Sequence, residues 1–230
     1  MIKYILLLFI LLFIVSKFSK FSSESLYNGK QWDNYRLGDV ILMSPHDQRF
    51  YNSNYKDNIL YHTTKYPDSI AAEYIRNNKK HQNFELLKEI LKNRKNDNEI
   101  LDNNTLVLHI RVGDVLCKKV WTDNAEQYYS KKGDLRWWNQ VINYINKNNI
   151  NSVIIIAGTH FKECLKESAD YINDRTTFLQ SNGLNVSHHL GKSPDDDLIF
   201  CQNAKHFITT GGGYGNLIKL IIDKNKSNNK

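Results

Sequence analysis

From residue 105 onward, short apolar runs alternate with amphipathic stretches, and the chain before 105 lacks that rhythm. Strands are predicted over 105–110, 153–157 (V-I-I-I-A), 184–188 and 206–210. The first of them is a continuous apolar run rather than an alternating one, as strands buried on both faces require. Helices are predicted between and after them, over about 135–148, 161–179, 194–205 and 214–223. A β-α-β-α-β-α-β-α order implies an α/β fold: a Rossmann-like parallel sheet with helices on both faces. A long loop to about residue 134 separates the first strand from its helix, and no internal repeat is evident.

Upstream, Asp39-Val40-Ile41-Leu42-Met43-Ser44 reads as a short strand broken by Pro45-His46-Asp47. Residues 48–65 read as loop. Pro67-Asp68-Ser69 opens a helix to about residue 78, with Ile70, Ala71, Tyr74 and Ile75 on one face. A second helix spans about 84–92, with Leu86, Leu87, Ile90 and Leu91 together. The polar stretch 93–104 sets a boundary between a reduced N-terminal subdomain, 36–104, and a main domain, 105–223. Residues 19–35 read as a stalk and 224–230 as a disordered tail.

Residues 4–15 are an unbroken apolar run flanked by Lys3, Lys17 and Lys20. As a helix this run is about 18 Å long, against roughly 30 Å of hydrocarbon core. Residues 1–18 therefore read as a signal peptide or a short signal anchor. The small-x-small pattern of a cleavage site is lacking, which favours the anchor. The expected location is a membrane, single-pass, or secretion if the segment is cleaved. The lysines after the run point the rest of the chain to the cytosol by the positive-inside rule. Three sequons, at Asn103, Asn185 and Asn225, say little in so Asn-rich a chain.

The net charge of +7 favours anionic partners. The basic residues are scattered, however, with no basic stripe interleaved with aromatics, so nucleic-acid binding is not expected. Cys117, Cys164 and Cys201 are odd in number and lack a C-x-x-C, which argues against a disulfide framework or a zinc site. Buried free thiols are the preferred reading; a lumenal chain leaves room for one disulfide.

Three segments could carry chemistry. His109-Ile110-Arg111-Val112-Gly113-Asp114 lies at the carboxyl end of a predicted strand, where ligands bind in open parallel sheets. Arg111 offers a fork of donors suited to a pyrophosphate, and an Arg directly after an apolar strand is costly without an anion. Gly113 lets a ligand approach the backbone. Asp114 could orient Arg111 or accept a hydroxyl proton, or it could only cap the loop. His109 reads equally as a core histidine. Thr209-Thr210-Gly211-Gly212-Gly213-Tyr214-Gly215-Asn216 follows a strand and opens a helix, which makes an anion site of its amides. It fits neither the dinucleotide fingerprint nor the P-loop. Asp195-Asp196-Asp197 starts a helix; such acids favour the helix dipole, and one carboxylate could instead take hydrogen bonds from guanine or ribose. No metal ligation is expected of the run.

In this order the three segments resemble the fucosyltransferases that share H-x-R-x-G-D, nearest to the alpha-2 type. The later part of the resemblance is Asp196, Cys201 and His206-Phe207-Ile208-Thr209-Thr210-Gly211. It covers about residues 105–222. It implies a GT-B-like C-terminal domain, a GDP-fucose donor, inversion at the sugar carbon, and neither cofactor nor metal. By the resemblance Arg111 contacts the donor pyrophosphate. His109 and Asp114 take the motif's other positions, and Thr210, Gly211, Gly212 and Gly213 form the donor turn with Tyr214. Donor binding is thus expected of His109, Arg111, Gly113, Asp196, Thr210, Gly211, Gly212, Gly213 and Tyr214, and catalysis of Arg111 and Asp114. The triple glycine replaces the Asn-Ser and aromatics of the alpha-2 type, and 36–104 is too short for a second Rossmann domain.

The expected function is transfer of fucose from GDP-fucose to a glycan hydroxyl, with the membrane reached through the N-terminal segment. A family of this kind works in the lumen, opposite to the lysine signal. Two alternatives remain: a polysaccharide pyruvyltransferase-like enzyme, and a non-catalytic nucleotide-sugar- or glycan-binding relative.

Overall fold

The computed structural model describes residues 35–42, 63–80, 82–94, 101–117, 136–158 and 164–227, excepting the side chains of Asp114 and Cys117. The predicted anchor and all of the predicted stalk but Tyr35 lie outside those residues. Among the described residues no helix is long and apolar enough to cross a membrane.

Strands β1 (Thr105–His109), β2 (Ser152–Ala157), β3 (Asn185–Leu190) and β4 (His206–Thr209) form one sheet in the order β3-β2-β1-β4. Every pairing is parallel, so the α/β, Rossmann-like reading holds. The central strand β1 is buried along its whole length, which explains its unbroken apolar run.

Helices α4 (Asp114–Cys117), α5 (Arg136–Lys147) and α6 (Leu165–Ser181) lie on one face. Trp138, Val141, Ile145, Ala169, Ile172 and Leu179 pack there with Leu106, Leu108, Val153 and Ile155. Helices α7 (Pro194–Cys201) and α8 (Gly212–Ser227) take the other face, where Leu198, Leu217, Ile218 and Ile221 meet Val107 and Ile156. The strand order therefore reverses between β1 and β4, and the helices that follow these two neighbours go to opposite faces. In open α/β sheets such a switch point leaves a crevice at the carboxyl ends.

Among the described residues, helices α1 (Leu37–Leu42), α2 (Ile70–Asn77) and α3 (Phe84–Asn93) precede the sheet. They bury Leu37, Val40, Ile41, Ile70, Tyr74, Leu87, Ile90 and Leu91 in the same core as α7 and α8. Ser69 and Asn83 cap α2 and α3 by accepting from Ala72 and Leu86 amides. A buried carboxylate fastens this layer to the sheet. Asp195 accepts from the Tyr35 hydroxyl and from the Ile70 amide at 2.9 Å, and Arg94 approaches it at 3.7 Å.

Three local expectations are corrected. Residues 39–42 are helical, not extended. Leu37, Val40 and Ile41 are all buried, at the i, i+3, i+4 spacing of a helix face, and a window opening at Asp39 hides that period. The last helix runs to Ser227, past the predicted end near 223. Asn225 Nδ2 donates to the Gln202 carbonyl at 3.0 Å and Lys226 Nζ to the Lys205 carbonyl at 2.7 Å, docking the extra turn. Cys164 is disulfide-bonded, whereas Cys201 is the buried free thiol expected of it.

Candidate functional site

The parallel register puts His189, Ile156, His109 and Thr209 in one row across the carboxyl edge of the sheet. Partners in such a row share a face, and here it is the face covered by α7 and α8. His109 Nδ1 lies 3.0 Å from Thr209 Oγ1, and its ring meets the Tyr214 ring edge-on with centroids 5.6 Å apart. Burial, and then the nearby Arg111 cation, lower the His109 pKa from 6.5 to about 4. The imidazole is therefore neutral at physiological pH and works as a hydrogen-bonded wall, not as a cation for phosphate.

Just beyond the row, the two motif loops are laced together across the switch point. The Thr210 amide donates to the His109 carbonyl at 3.0 Å, and the Arg111 amide donates to Thr210 Oγ1 at 2.8 Å. Thr210 is buried because it is this staple. The Arg111 side chain then turns over the start of α8. A Cβ built on Gly212 would sit 3.2 Å from Arg111 Cδ and 3.4 Å from its NH1. Gly212 also has φ +84°, which L side chains rarely adopt.

Of the amides expected to form an anion cradle, those of Thr210 and Gly211 are engaged, the latter with Thr209 Oγ1 at 3.0 Å. Gly212, Gly213 and Tyr214 carry the amides that open the 16-residue helix α8, and such amides have no intrahelical acceptor. The expected anion cradle narrows to the amides of Gly212 and Gly213, beside Arg111, since α1 packs at Gly38 against the Tyr214 nitrogen. Tyr214 points away from the turn, its hydroxyl donating to the Pro194 carbonyl.

Gly113, at φ +87°, is held by its own amide, which donates to the buried Ser168 Oγ at 3.0 Å. Ser168 in turn donates to the Cys164 carbonyl at 2.6 Å, so the first motif leans on the start of α6. Asp114 begins α4; its side chain lies outside the described residues.

The three aspartates separate into three roles. Asp195 is the buried clamp on Tyr35 and Ile70. Asp196 forms a capping box with Ser193, accepting from its hydroxyl at 2.7 Å while the Asp196 amide donates back at 3.0 Å. Its carboxylate is thus committed to the helix end. Asp197 faces His189 Nε2 at 3.3 Å, beneath the His189–Phe200 stack at 4.2 Å. Burial raises the Asp197 pKa to about 6, against the opposing pull of His189.

Comparison with family models, with curated proteins and with solved structures returned no match.

Sequence reasoning gathers His109, Arg111, Thr210, Gly211 and Gly212, and the fold does bring these together. It includes Gly215 in the motif but misses its packing role: a Cβ there would run into Thr209 Oγ1 and stand 2.9 Å from His109 Nδ1. It also misses Gly38 and Asp39. A Cβ on Gly38 would be 2.7 Å from the Tyr214 nitrogen, so α1 crosses α8 backbone to backbone. Asp39 Oδ1 comes with it, 3.0 Å from where a Gly213 Cβ would be. A glycine inside a short apolar run was the available signal, since it marks a close backbone approach.

Proposed function

We propose that this chain is a glycosyltransferase that binds a nucleotide-sugar diphosphate between β1 and β4 and transfers the sugar, with inversion, to a glycan hydroxyl. The motif resemblance makes GDP-fucose the donor. The observation that carries the reading is the Arg111 side chain laid over Gly212 at the mouth of α8. A guanidinium and the amides of a helix start lie side by side there at a topological switch, the arrangement an anionic diphosphate requires.

Charge develops on the departing nucleoside diphosphate as the glycosidic bond breaks. Arg111 and the amides of Gly212 and Gly213 would neutralise it, and fixed donors of this kind give the largest catalytic term in such transfers. The neutral His109 and the Thr210 staple keep both loops in register. The Cys164 disulfide supports an oxidising, lumenal setting over the cytosolic one the flanking lysines suggest.

Titration calorimetry with GDP and GDP-fucose, followed by an assay for free fucose, tests the proposal. Binding with turnover is expected. Binding without turnover would favour the non-catalytic relative, and no binding of either ligand would overturn the donor assignment.

A further inference from the structure

The glycine turn has a second charged neighbour, contributed by a segment far from it in sequence. Gly38 lets α1 press directly on α8: its Cβ would fall 2.7 Å from the Tyr214 nitrogen and 2.8 Å from both the Gly213 carbonyl carbon and Tyr214 Cα. No side chain intervenes, so the next residue, Asp39, is fixed relative to the turn. Its Oδ1 lies 3.0 Å from the Cβ position of Gly213, while Oδ2 stands 3.5 Å from Arg36 NH1. The side chain is 32% exposed, open to a molecule arriving from solvent.

Arg111 therefore attends Gly212 and Asp39 attends the very next residue. A guanidinium and a carboxylate thus flank consecutive residues of the turn. An inverting transfer needs such a pair. A cationic group must hold the departing diphosphate, and a separate carboxylate must take the proton of the incoming hydroxyl.

Resting on the donor site proposed above, we infer that Asp39 is the acceptor-side carboxylate of this centre. The acceptor oxygen forms the new bond to the sugar carbon and gives its proton to Asp39. The bond from that carbon to the β-phosphate oxygen breaks, and its electron pair leaves on the nucleoside diphosphate. Asp39 then releases the proton to solvent. With water as acceptor the products are free sugar and GDP.

The test uses the full chain, GDP-fucose and water as acceptor. Asp39→Asn should bind GDP as tightly as the native protein, or more tightly, because a negative charge beside the diphosphate is gone. Its hydrolysis rate should fall at least about tenfold, the lower end of what a general base contributes, and the acidic limb of the pH–rate profile should flatten. Asp39→Glu should restore part of the rate and the limb. Asp39→Ser, with formate added as an exogenous base, supplies the same readout if the Asn variant does not fold. Native rate and pH profile in folded Asp39→Asn, with GDP affinity intact, would overturn the assignment while leaving the donor site standing. Failure of the native protein to bind GDP would remove both.

Discussion

The Arg111 amide donates to Thr210 Oγ1 at 2.8 Å, joining segments 99 residues apart across the reversal in strand order. Thr210→Val keeps the shape and removes the acceptor, stranding a part-buried N–H. The cost should be about 1–3 kcal/mol, read in a denaturant melt. If the staple also sets the Arg111 loop, GDP affinity should fall in the same variant. A native melt with native GDP affinity would show that the bond holds nothing.

Arg111 and Gly212 make a pair of tests with different signatures. Arg111→Ala should leave the melt nearly unchanged and weaken GDP binding by about 2–3 kcal/mol, thirtyfold or more. Gly212→Val should do both kinds of damage. Its φ of +84° strains any β-branched residue, and its side chain would enter the space that Arg111 occupies. Calorimetry and a thermal melt on each folded variant separate the effects. A lowered Gly212→Val melt with unchanged GDP affinity would make the turn purely structural.

The sheet and its helices were readable because their signals are local. Apolar runs marked β1 and β2, and Pro194 with Asp195-Asp196-Asp197 marked the start of α7, where Ser193 and Asp196 form a capping box. The place of Arg111 at the carboxyl edge of the sheet was readable because it directly follows a buried strand. The rest depends on contacts between distant segments. Gly38 marks a close backbone approach, but nothing near it names Tyr214 as the partner, because that glycine serves a helix crossing 176 positions away in sequence. The division of labour among Asp195, Asp196 and Asp197 was hidden for the same reason. All three sit in the first turn of α7, and only the capping partner of Asp196 is local. Tyr35, Ile70 and His189 define the other two.

Gly215 should be the least replaceable residue in the second motif. Adding one methyl would put it 2.2 Å from Thr209 Oγ1 and 2.9 Å from His109 Nδ1, both on the sheet edge. Neither neighbour is a flexible chain end, so the helix must move. Gly215→Ala is expected to cost about 1–3 kcal/mol, typical of overpacking, and to shift the His109 ring resonances in NMR spectra. Stability equal to the native protein would mean that α8 packs less tightly against Thr209.

Two buried groups in the same layer give opposite pH dependences. His109 has its pKa lowered from 6.5 to about 4, so the unfolded chain binds the extra proton between those values. Stability from this group falls as pH drops from 6.5 to 4, by about 3 kcal/mol in full. Asp197 has its pKa raised from 3.8 to about 6, so the folded protein binds the extra proton there. Its contribution rises as pH drops through 6, by a similar amount. The two offset each other between pH 4 and 6. Asp197→Asn should therefore steepen the acid loss of melting temperature relative to the native protein, and His109→Gln should flatten it. Parallel melting curves against pH for all three proteins would exclude this account.

The three aspartates of α7 should differ sharply when replaced singly, although they are adjacent. Asp196→Ala removes one half of a capping box with Ser193, a change of about 1 kcal/mol confined to the start of α7. Asp195→Ala acts elsewhere. It strips the acceptor from the Tyr35 hydroxyl and the Ile70 amide and leaves the half-buried Arg94 with Glu73 alone, at 2.7 Å. Breaking a buried, hydrogen-bonded charge of this kind costs about 3–5 kcal/mol. Burial raises the Asp195 pKa, while Tyr35, Ile70 and Arg94 pull it back, so part of the cost is already carried by the native protein and the lower end is expected. The loss should also be placed where the clamp reaches. Hydrogen exchange should quicken at Leu37–Leu42 and Ile70–Asn77, the helices held through Tyr35 and Ile70, more than in β1 and β2. Because α1 carries Asp39, the same variant should lose sugar transfer while keeping the Arg111-dependent GDP affinity. Uniform acceleration of exchange across the sheet would mean that Asp195 supports the whole fold and not the attachment of these helices.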